Sequence, residues 1–194
     1  MTPTAPPAPL AHRLDEGDRK ELLRIARATL REFLTTGYLP PGAPHRKPLL
    51  VPGGAFVSVH VGGELRGCMG RVEADRPLYL AVEELAVAAA TRDPRFEPLR
   101  IEELRDARLE ISLLSPLEPG SIERIEVGRH GLVVTRGPRR GLLLPKVAVE
   151  HGWDREQFLD ETCGKAGLPP GAWKDPETRL ELFTAEVFAD PEAE

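Results

Sequence analysis

The chain is predicted to be α+β, a mainly antiparallel sheet packed with helices. Three observations carry this. Gly62-Gly63 and Gly137-Pro138 each separate two runs of alternating apolar and polar residues, the pattern of a β-hairpin. Three other stretches repeat their apolar residues at helical spacing. The elements alternate as helix, hairpin, helix, strand, hairpin, helix, strand. The hairpins make at least part of the sheet antiparallel, which argues against a doubly wound fold.

The first helix runs from Glu16 to Thr36, with Leu22, Ile25, Ala26, Leu30, Phe33 and Leu34 on one face and Gly37 as its stop. "LPPGAPHRKP" follows as a loop. "GAFVSVHV" and "ELRGCM" form the first hairpin. A tight two-residue turn pairs Val61 with Glu64, Val59 with Arg66 and Val57 with Cys68. One bulged residue reverses the faces, so the register stays open. "RPLYLAVEELAVAAATRD" is the second helix, with Pro77 in its first turn and Leu78, Val82, Leu85 and Ala89 as its inner stripe. Asp93-Pro94 ends it. "IEELRDA" adds a short helical turn, and "RLEISLLS" is a strand. "GLVVTRGPRRGLLLP" is the second hairpin, and Pro145 opens a short helix. Asp154 caps the helix in "DREQFLDETCGKAG", and "RLELFTAEVF" is the last strand.

The chain has 194 residues, 41% hydrophobic and 29% charged, enough for a core without disulfides or metal. A net charge of −5 argues against non-specific nucleic-acid binding. Two cysteines make no disulfide framework. No apolar run spans a membrane, and the proline-rich residues 1–13 read as a disordered tail rather than a signal peptide, so a cytoplasmic location is expected. Residues 14–190 form a single domain.

"GAFVSVH", "GELRGCMG", "DPRFEPL", "LEISLLSP", "GLLLPKVAVEHGWDREQFL", "CGKAGLP" and "AEVF", in this order, resemble the AMMECR-one domain family. "LRGCMG" matches its signature, with Met69 where isoleucine is commoner, and Lys146 stands where many relatives carry glutamine. The resemblance implies two subdomains, the larger containing both termini, and an inter-lobe cleft. It implies no reaction and no cofactor, and whether the protein is an enzyme stays open. It also implies a modification pathway shared with Memo-like and radical-SAM proteins.

The candidate site is the strand around Cys68. Arg66, two residues away and sharing a face in a regular strand, is about 7 Å from it. Its charge stabilises a thiolate by ~0.6 kcal/mol in water and ~2.4 kcal/mol at an effective dielectric of 20. The larger figure requires partial burial and an Arg66 with no tighter carboxylate partner, and Glu64 is the obvious competitor. Gly67 and Gly70 mark a bend or a close approach of backbone or ligand. Arg92 at a helix end and Lys146 at a strand end complete the anion-binding candidates. Cys68 therefore reads as a packed thiol or as a nucleophile, and in the tight register His60, its nearest base, points to the opposite face. No metal motif is present. The leading expectation is a cleft that binds an anionic small molecule or macromolecular group. The alternatives are a thiol-dependent enzyme using Cys68 and a non-catalytic protein-interaction module.

Overall fold

The computed structural model describes residues 14–39, 44 and 46–191. The expected tail, 1–13, lies outside the described residues. The described residues divide into two compact units: those up to Pro116 together with those from Glu186 onward, and Leu117–Ala185.

The first unit opens with α1 (Glu16–Thr36), the span its apolar spacing predicts. A capping box starts the helix. The Asp15 side chain accepts from the Asp18 amide at 2.7 Å, and the Asp18 side chain accepts from the Asp15 amide at 3.0 Å. Gly37 ends it at φ 79°, in the left-handed region. The hairpin β1 (Ala55–Val61) and β2 (Glu64–Arg71) follows, then α2 (Leu78–Thr91), a 3₁₀ turn (Ile101–Arg105) and β3 (Ala107–Leu114). Antiparallel pairing orders the strands β2-β1-β3, which makes β2 an edge. Ala55, Val57, Val59, Leu109, Ile111 and Leu113 point to one face and join the buried residues of α1 and α2 in one core.

Burial on α2 exceeds the stripe its periodicity predicts. Ala81, Val82, Glu83, Leu85, Ala86, Val87, Ala89 and Ala90 are all buried. The helix packs against both α1 and the β1–β2 hairpin, which leaves only a narrow strip around Leu80, Glu84 and Ala88 less than fully buried.

In the second unit come β4 (Glu118–Pro119), β5 (His130–Arg136), β6 (Arg139–Leu143), α3 (Pro145–Glu150) and α4 (Arg155–Lys165). The last strand, β7 (Arg179–Ala189), begins in this unit beside β5 and ends in the first unit beside β3. Asp154 caps α4 through a second capping box. Ile125, Leu132, Leu143, Phe158, Leu159 and Leu182 form the core, with Trp153 packed against it and stacked on His151 at 4.5 Å. The two-residue β4 had no readable pattern, because so short a strand has no period.

The register of the first hairpin departs from the tight-turn pairing. Val61 does face Glu64 and His60 faces Leu65, but Val59 then faces Gly67, Ser58 faces Cys68, Val57 faces Met69 and Phe56 faces Gly70. Arg66 is the extra residue of a β-bulge. Every β2 position beyond it changes face: Gly67 and Met69 turn toward the helices, and Cys68 turns away from them with Ser58.

Candidate functional site

The bulge separates the residues that a regular strand would unite. Arg66 no longer shares a face with Cys68. Its Nη2 donates to Glu103 Oε1 at 3.0 Å, and its Nη1 donates to the Glu97 carbonyl at 3.2 Å. The tighter carboxylate partner is thus Glu103, not Glu64, which is exposed at the start of β2. The Glu103 carboxyl lies below its ordinary range, first because it accepts from the Arg100 amide and second because of Arg66.

Both glycines prove to be packing requirements. A Cβ on Gly67 would lie 1.8 Å from the Ala89 carbonyl oxygen in α2, and one on Gly70 would lie 2.1 Å from the Phe56 ring. The close backbone approach at Gly67 is made by a helix.

Cys68 is partly exposed and Cys163 is buried. The Cys68 amide donates to Asp93 Oδ2 at 2.9 Å. Asp93 is 5% exposed and also accepts from the Arg95 amide at 3.1 Å, from Arg95 Nε at 2.9 Å and from Arg95 Nη2 at 2.6 Å. These bonds, Arg95 foremost, hold its carboxyl far below the usual range. Asp93 therefore builds the turn after α2, as its position before proline suggests, and closes the outer edge of β2 at Cys68. Asp93 thus ties Arg95 to the same stretch of β2 as Cys68. That pairing spans 27 positions in sequence and had no local signal.

Beside this turn, β2 and α2 enclose a groove of about 250 Å³ lined by Leu39, Gly70, Arg71, Glu84, Leu85, Val87, Ala88 and Arg92. Gly70 and Arg92 of the sequence candidates meet here; Glu64, Arg66, Gly67, Cys68 and Lys146 do not line it. Lys146 belongs to α3 in the second unit. Arg71 is the residue that sequence reasoning missed. It follows the signature directly, and only the bulge turns it toward α2.

The groove is electropositive. Arg76 holds Glu84 at 2.5 Å and Asp75 at 3.1 Å, and Arg71 reaches the same acids only at 3.4 and 3.8 Å. Of the charged residues lining the groove, Arg71 and Arg92 are cationic and Glu84, already held by Arg76, is the one carboxylate. The Nε of Arg71 is buried with no acceptor, and Arg92 makes no side-chain hydrogen bond or ion pair among the described residues. Gly70 adds a backbone donor. Because the Cys68 amide points outward to Asp93, the strand alternation turns the Gly70 N–H and C=O outward too, away from β1. An amide and two guanidiniums at one groove suit an oxyanion such as carboxylate or phosphate.

Among the described residues no three His, Cys, Asp or Glu side chains gather as metal ligands, and no helix is long and apolar enough to cross a membrane.

Comparison with known proteins agrees with the family resemblance. A family model described as AMMECR1 matches residues 23–188. A protein of Methanothermobacter thermautotrophicus is 46% identical, the match covering 93% of this chain and 96% of that protein. One of Methanopyrus kandleri is 42% identical over 93% of this chain and 91% of its own length. The fold recurs in the crystal structure of an uncharacterized protein from Pyrococcus horikoshii, with a TM-score of 0.83 and 40% identity over 88% of this chain and 90% of that one.

Proposed function

The chain belongs to the AMMECR1 family, and from that premise we propose that it binds an anionic group in the groove between β2 and α2. One observation carries the reading. Arg92, whose side chain makes no hydrogen bond or ion pair among the described residues, lines the same groove as Arg71 and the outward-facing backbone of Gly70. An accessory step in a modification pathway, beside Memo-like and radical-SAM proteins in the cytoplasm, is the role this binding would serve. The test is a titration of the ¹⁵N-labelled protein with inorganic phosphate and with acetate, following the Gly70 amide. A saturable shift that Arg92→Ala abolishes supports the reading. An unmoved Gly70 amide refutes it.

A second reading, thiol chemistry at Cys68, draws on the bulge. Cys68 faces Ser58, and Ser58 shares its face with His60 two residues along β1, so thiol and imidazole are diagonal neighbours with Cβ atoms roughly 7–8 Å apart. That is within reach of a long side chain, and in this reading His60 would accept the thiol proton. Alkylation of Cys68 slowed at least about tenfold by His60→Ala supports this reading. An unchanged rate removes it.

A further inference from the structure

Resting on the anion reading above, we infer that the groove receives the C-terminal end of another polypeptide, its terminal carboxylate held by Arg92 and its last residues added to the edge of β2. The argument starts from the edge itself. As the outermost strand, β2 presents backbone groups that a further strand can pair with. At Cys68 this edge is closed, because Asp93 takes the outward amide and is itself locked by Arg95. At Gly70, the next outward position, the N–H and C=O have no partner among the described residues. A strand that pairs with Gly70 therefore cannot continue past Cys68; it has to terminate there.

Arg92 immediately precedes Asp93 and lines the groove, so a cation without a partner stands where the guest chain must end. Charge complementarity selects the carboxyl terminus over the amino terminus. Leu39 and the α2 residues Leu85, Val87 and Ala88 give the groove an apolar lining beside Glu84, which favours an aliphatic last side chain. A volume of about 250 Å³ suits one terminal residue and not a larger cofactor, since pockets for drug-sized ligands begin near 300 Å³.

The experiment uses the full chain and a set of fluorescein-labelled hexapeptides, alternating threonine and valine, that differ only in the last residue. Each is made with a free carboxylate and as the amide, and binding is read by fluorescence anisotropy. The free acids ending in leucine, valine or isoleucine are expected to bind at least tenfold more tightly than their amides. Arg92→Ala should erase that difference and Arg66→Ala, whose guanidinium is engaged elsewhere, should leave it. Equal binding of acid and amide, or no peptide binding while phosphate still shifts the Gly70 amide, overturns the chain-end inference and leaves the anion reading standing. Failure of both phosphate and peptides overturns both.

Discussion

Replacing Gly67 with alanine tests how β2 is seated on α2. The new Cβ would meet the Ala89 carbonyl oxygen at 1.8 Å and its carbonyl carbon at 2.8 Å. Ordinary contact begins at 3.4 Å, so strand and helix must part by roughly 1.6 Å. The obstacle is helix backbone, which no rotamer change can move aside. Overpacking a core costs about 1–3 kcal/mol, and this case belongs at the upper end. Alanine also stiffens the unfolded chain, which favours folding by ~0.4–1 kcal/mol. The clash is the larger effect. At ~2–4 °C per kcal/mol for a chain of this size, a net loss of ~2 kcal/mol lowers the Tm by ~4–8 °C. Thermal unfolding followed by circular dichroism measures this. The control is Gly164→Ala in α4, where nothing lies within 4 Å of the new Cβ and the Tm should rise slightly. A Gly67→Ala protein that melts with the wild type would show that the strand and helix are not seated as described.

The remaining predictions concern protons and thiols. The Asp93 carboxyl is depressed by Arg95 and by the backbone amides, so its stabilisation is present above the ordinary carboxylate pKa of ~3.9 and lost as pH falls below it. Asp93→Asn should therefore be less stable than the wild type at pH 7, with the gap narrowing in acid melts toward pH 2. Glu83 behaves oppositely: it is buried, its hydrogen-bond partner among the described residues is the Thr29 hydroxyl at 3.4 Å, and burial pushes its carboxyl up. A raised carboxyl loses stability as pH climbs through its ordinary range, so Glu83→Gln should melt above the wild type at pH 8 and converge with it near pH 4. Iodoacetamide followed by peptide mass spectrometry should label Cys68 at least about tenfold faster than Cys163, whose thiol is fully buried and pushed up by that burial. Equal rates would mean that α4 opens as readily as the edge of the sheet.

The elements were legible because their signals are local. The α1 stripe, the Asp15 and Asp154 caps and the glycine-rich turns each act within a few residues. The site was only partly legible. Gly70 and Arg92, read as isolated residue types, line the proposed groove; Arg71, which lines it too, was not singled out, and the carboxylate partner of Arg66 is Glu103 rather than Glu64. The reason lies in one residue of register. A bulge exchanges the two faces of a strand without altering its composition, so a pattern of alternation reads equally well either way.

What the sequence determined by itself was the order and kind of the elements, the antiparallel character of the sheet and the family. Period, capping and turn chemistry are short-range and act before the chain is folded. The tertiary structure alone decided which side Cys68 faces, that Glu103 neutralises Arg66, and that Arg71, Arg92 and the Gly70 amide converge. Each of those depends on where Arg66 bulges and on how closely α2 approaches Gly67, and both are set by packing between segments far apart in the chain.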